Sequence, residues 1–118
     1  MGEIAVIGIG YEAGQLTLEA VERLRSGAKV ILHTGRCGCA DWLRQQGIEF
    51  STLDGLYESC EDFDDHARAA AQAVRDAARD EDVVYGVFDV RDASVSRLLD
   101  EVRDARVIPG PPSEGPLF

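Results

Sequence analysis

Apolar residues come in short runs that alternate with amphipathic stretches. Residues 3–9 carry Ile4, Val6, Ile7 and Ile9 in a continuous apolar run, which predicts a short buried strand ending at the turn Gly8-Ile9-Gly10. Thr17 then has the chemistry of a helix N-cap, and Leu18, Val21 and Leu24 are expected on one face of a helix reaching Ser26 and closed by Gly27. Residues 28–32 read as a second buried strand and residues 33–38 as a loop. A second helix is predicted over 39–46, with Trp42 and Leu43 inward and Gly47 as its stop.

Residues 48–51 predict a brief third strand, and 53–59 a connection with one helical turn around Leu56 and Tyr57. The clearest helix runs from Asp62 to about Arg79. Asp62, Asp64 and Asp65 sit at its positive end, and Phe63, Ala67, Ala70, Val74 and Ala77 form its inner stripe. Residues 82–88 predict a Val-rich fourth strand. A last helix is expected over 92–104, capped by Asp92, with Val95, Leu98, Leu99 and Val102 inward; a fifth strand spans 106–108. This alternation defines an α/β fold of three layers, a five-stranded, mainly parallel sheet with helices on both faces. In such a sheet, ligands sit beyond the carboxyl ends of the strands, here the loops after Ile9, Leu32 and Phe88.

The chain has 118 residues, enough for one domain, assigned to residues 1–108. All four prolines lie between Pro109 and Pro116, so residues 109–118 read as a Pro-rich tail or linker stub. The net charge is −10 and no basic stripe appears, which argues against nucleic acid as a partner. There is no apolar run of membrane-spanning length and no secretory pattern, so no membrane partner is expected and the expected location is the cytoplasm. Lys29 is the only lysine, which confines lysine chemistry to that position. Cys37, Cys39 and Cys60 are odd in number and lack the spacing of structural zinc sites; they read as ordinary thiols, and no metal is expected.

The glycine turn 8–14 permits sharp turning and close approach of a ligand. As a dinucleotide fingerprint it is incomplete, because the second strand leads to His33-Thr34 where an acid would hold the ribose. A receiver-like reading fails on Glu12, which stands alone where paired acids are needed, and on Ser51-Thr52 after the third strand, where a phosphorylatable aspartate would stand. Asp54 and Tyr57 read as a turn residue and a packing residue, Asp92 as a cap, His66 as a solvated position on an exposed helix, and His33 as a structural residue at a strand's carboxyl end.

Ile7-Gly8-Ile9-Gly10, the segment Leu16-Thr17-Leu18-Glu19-Ala20-Val21-Glu22-Arg23-Leu24 and Ala28-Lys29-Val30-Ile31-Leu32 together resemble the opening of the tetrapyrrole (corrin/porphyrin) methylases, N-terminal half. His33-Thr34-Gly35-Arg36, Leu43, Gly47-Ile48, Asp54-Gly55-Leu56-Tyr57-Glu58, Phe63 and Val83-Val84-Tyr85 most resemble the methylase-like domain fused to MazG-type nucleotide pyrophosphohydrolases. The resemblance covers about residues 3–110. It implies S-adenosylmethionine (SAM) as cofactor, a cleft floor at Gly8 and Gly10, and further cofactor contacts from Tyr11 and Asp89. It also implies a homodimer, or a second methylase half or pyrophosphohydrolase domain as partner. The chain departs from the family at both loops. Tyr11-Glu12 stands where the family has Pro-Gly, and Phe88-Asp89-Val90 where it has Gly-Asp-Pro. The expectation is a methylase-like domain, related to SAM-dependent methyltransferases, that is incomplete and weak or inactive alone. The alternative is a non-catalytic binding or dimerisation module on the same fold.

Overall fold

A computed structural model of the protein describes residues 2–10, 14, 16–59, 62–88, 90, 93–102 and 105–108. In chain order its elements are β1 (Ile4–Gly8), α1 (Leu18–Leu24), β2 (Lys29–Leu32), α2 (Gly38–Gln46), β3 (Ser51–Thr52), α3 (Asp54–Ser59), α4 (Phe63–Ala77), β4 (Val83–Val87), α5 (Ala93–Glu101) and β5 (Arg106–Ile108). The five strands form one sheet in the order β3-β2-β4-β1-β5, and all four pairings are parallel. Parallel neighbours need crossovers, and these supply the helices.

The central strands β1, β2 and β4 are buried on both faces of the sheet, and their side-chain alternation divides the core in two. Val6, Ile31, Val83, Tyr85 and Val87 pack with Ala70, Ala71, Val74, Val95 and Leu98 of α4 and α5. Ile7, Ile9, Val30, Leu32 and Val84 pack with Ala20, Leu24, Ala40 and Leu43 of α1 and α2. β1 and β4 therefore need apolar residues on both sides, which is why they read as continuous runs rather than alternating ones. The small residues of α4 allow close approach of the helix to the sheet: Ala67, Ala70 and Ala71, with Ala78 at its C-cap, are buried beside Val74. Tyr85 is fully buried, and its hydroxyl meets the Ser94 hydroxyl at 2.7 Å, so the one polar atom it takes into the core is satisfied.

The Thr17 cap forms as expected, accepting from the Ala20 amide at 3.1 Å. The face of α1 does not. Leu18 is 85% exposed, while Ala20 and Leu24 are buried. At 100° per residue Leu18 lies about 200° from Ala20, so a helix docked through Ala20 and Leu24 turns Leu18 outward. The third strand is also displaced, from the expected 48–51 to Ser51–Thr52. Gly47 caps α2 in the left-handed region at φ 72°, and the Ile48 amide bonds back to Leu43 O at 3.0 Å. That amide belongs to the helix terminus and is lost to the ladder.

The turn expected within 53–59 is a six-residue helix. Asp62 is the cap of α4, accepting from the Asp65 amide at 2.8 Å, so the helix begins one residue later than expected. α5 is set against α4 and tied to it by Arg75 and Glu101 at 2.9 Å. The expected cap Asp92, Cys60, and the tail 109–118 lie outside the described residues.

Candidate functional site at the carboxyl edge of the sheet

Helices leave neighbouring strands toward opposite faces: β1 and β2 feed α1 and α2 on one side, β4 feeds α5 on the other. The carboxyl ends of β1, β4 and β2 thus border the kind of crevice where open α/β sheets receive ligands. Gly8 closes β1 opposite Val87 and is buried. Gly10 has φ 65°, a conformation that favours glycine, and its amide donates to Phe88 O at 3.2 Å. The β1–β4 pairing therefore runs past the strands into the glycine turn. The other two expected contact residues, Tyr11 and Asp89, lie outside the described residues.

On the β2 side, the His33 amide donates to Gly86 O at 2.8 Å. The His33 ring stands 5.5 Å from the Phe88 ring and 6.1 Å from the His66 ring, edge-on to both. His66 is half-buried in this contact, not solvated, because the amino-terminal end of α4 reaches the carboxyl edge beside the β2 loop. Three rings from three elements thus meet there.

The loop after β2 is fastened from the far side by Asp54. One carboxylate oxygen accepts from the Thr34 hydroxyl at 2.5 Å and the other from the Gly35 amide at 3.0 Å. Thr34 Oγ1 in turn accepts from the Arg36 amide at 3.2 Å, and the Cys37 thiol donates to Thr34 O at 3.5 Å. The Thr34 hydroxyl and then the Gly35 amide hold the Asp54 carboxyl below its ordinary range; partial burial opposes them, and the Thr52 hydroxyl and the Arg36 charge add to them. Asp54 is therefore more than a turn residue: both its oxygens serve a loop some twenty positions away in sequence. Spacing alone does not signal this, because β3 lies between and its register is visible only in the fold. Gly86 is a second feature missed in sequence. A Cβ there would stand 2.8 Å from Leu32 Cδ2 and 3.4 Å from Ile9 Cγ2, and a lone glycine inside a Val-rich strand is the signal for such close approach.

Cys39 is fully buried, and burial followed by the nearby Cys37 pushes its thiol up to about 12. Among the described residues, no three His, Cys, Asp or Glu side chains gather as metal ligands. Two hollows lie at the other end of the sheet. One of about 1070 Å³ is lined by Arg25, Lys29, Gln46, Ile48, Phe50 and Glu81, and one of about 260 Å³ includes Glu3, Arg23, Asp82 and Arg106. Among the described residues, no helix is long and apolar enough to cross a membrane.

The fold defines an α/β domain with an open parallel sheet and helices on both faces. Among solved structures it is similar to that of a protein from Corynebacterium diphtheriae described as cobalamin synthesis related (CobF). The TM-score is 0.57 and the identity 24%; the match covers 96% of this chain and 55% of that one. The chain thus spans about half the length of that neighbour. No family model and no curated protein matches the chain.

Proposed function

We propose that this chain is a tetrapyrrole-methylase-like domain, equivalent to the N-terminal half of a SAM-dependent methyltransferase, which by itself binds SAM weakly or not at all and transfers no methyl group. The observation that carries the reading is the agreement over 96% of the chain with the CobF structure, combined with a left-handed glycine at the carboxyl end of β1. The family's motif places its cofactor floor at that turn, and Gly8 and Gly10 fit it.

The second loop does not fit. The family motif has a glycine where this chain has Phe88, and the Phe88 ring is engaged with His33 at this edge. A side chain there occupies space that a glycine leaves to the cofactor. Small-molecule sites commonly bury about 70–90% of their ligand, and one half of a two-domain cleft gives roughly half of that enclosure. The Phe88 contact is also the observation that favours the second reading, a binding or dimerisation module that keeps the fold without catalysis. The partners proposed are a second copy of the chain, or a second methylase half or pyrophosphohydrolase domain of the MazG type, in the cytoplasm.

Isothermal titration with SAM and S-adenosylhomocysteine tests the proposal. The expected result is no saturable heat at micromolar ligand. A dissociation constant in the low micromolar range, on the order of −8 kcal/mol, refutes it and makes the isolated domain a competent cofactor binder.

A further inference from the structure

We infer that Asp54 is a positioning residue for the carboxyl edge: through Thr34 and Gly35 it fixes the loop after β2, so that His33 is held against Phe88 and His66 as a preset wall of the site. The inference rests on the reading above for what the wall serves, but the positioning itself stands on geometry. A carboxylate at the start of a helix commonly caps its own first turn. Asp54, the first residue of α3, accepts at Oδ1 from the Thr34 hydroxyl and at Oδ2 from the Gly35 amide. The loop is seated so closely that a Cβ on Gly35 would lie 3.1 Å from Thr52 Cγ2 and 3.4 Å from Asp54 Oδ2. On its other side the loop is pinned by the His33 amide on Gly86 O. Held at both ends, the loop has little freedom, and the ring of His33 inherits that order. Preorganised loops of this kind reduce the ordering cost that a ligand would otherwise meet on binding.

The experiment uses the ligand-free chain, so its failure is separate from that of the titration with SAM. Asp54→Ala, Thr34→Val and Thr34→Ser are compared with the parent by NMR, following the His33 and His66 imidazole signals through a pH titration and the Phe88 ring signals at neutral pH. Thr34→Ser keeps the hydroxyl and is the conservative rescue. The expected result is that Asp54→Ala and Thr34→Val move the His33 titration midpoint by at least a few tenths of a pH unit and shift the Phe88 signals, while Thr34→Ser stays at the parent values. The proposal is overturned if the two disruptive variants melt earlier but leave the His33 and Phe88 signals in place, since Asp54 would then serve stability alone. It is equally overturned if Thr34→Ser behaves like Thr34→Val, because the hydroxyl would then not be the link. Should Asp54→Ala fail to fold, Asp54→Asn, which keeps one oxygen acceptor, is read by the same two signals.

Discussion

The two ends of the sheet are built on different terms. At the amino end the side chains diverge, and the hollows among them are wide and lined by charges of both signs: Arg25 and Lys29 with Glu81 in the larger, Arg23 and Arg106 with Glu3 in the smaller. At the carboxyl end the backbone converges. Gly10 donates to Phe88, His33 to Gly86, and Asp54 takes two donors from one loop. The larger hollow is the less specific place, because open, polar concavities offer a ligand few fixed partners. The carboxyl end holds groups that several hydrogen bonds among the described residues fix in place.

Substitutions that add one methyl group at the converging end are the strongest way to break this comparison. Gly86→Ala should cost the most, about 1–3 kcal/mol, because the new carbon meets Leu32 and Ile9 inside a packed core. Urea denaturation reads this directly; an unchanged midpoint would mean that the crowding at β4 relaxes freely. Gly10→Ala should follow at about 1–2 kcal/mol, from forcing a side chain into the left-handed region at φ 65°. At the diverging end, Glu49→Gln and Lys29→Met alter exposed residues and should stay within about 0.5 kcal/mol. A loss above 1 kcal/mol in either would show that the amino end is organised after all.

Much of the fold was legible in the sequence because burial on both faces leaves continuous apolar runs, and β1, β2 and β4 are buried in this way. The Thr17 and Gly47 caps were legible because capping chemistry is local. What failed was decided by docking. Leu18 looks like a core residue in any apolar count, and only the direction in which α1 meets the sheet turns it out. Ile48 looks like a strand residue until Gly47 commits its amide to the end of α2. At the candidate site, Gly10 announces itself, because a left-handed turn after a strand asks for glycine. The bond from Asp54 to Thr34 does not, since it depends on β2 and β3 being neighbours and on their register, Leu32 beside Thr52. His66 joins His33 only because α4 returns across the sheet to bring its first turns to the same end.

The smallest effect expected is also the one that isolates the fastening of the β2 loop. The hydrogen bonds from Thr34 and Gly35 lower the Asp54 carboxyl in the folded protein. An unfolded aspartate titrates near its ordinary value of about 3.9. A group depressed on folding stabilises the native state fully above the unfolded value and loses that contribution as the pH falls through the folded one. At pH 7 the parent should therefore melt above Asp54→Asn, in which an amide nitrogen replaces one of the two oxygen acceptors. As the pH falls below about 4 the carboxylate takes up its proton, the parent loses what the variant never had, and the two melting temperatures should converge. Partial exposure of Asp54 keeps the gap small, because water and salt weaken charged hydrogen bonds at a surface. Thermal melts of the pair from pH 7 to pH 3, at low salt, resolve it. Curves that run parallel over the whole range would mean that the lost partner is structural and uncharged in effect. Curves that diverge toward acid would place the Asp54 carboxyl above its ordinary value and reverse the assigned direction.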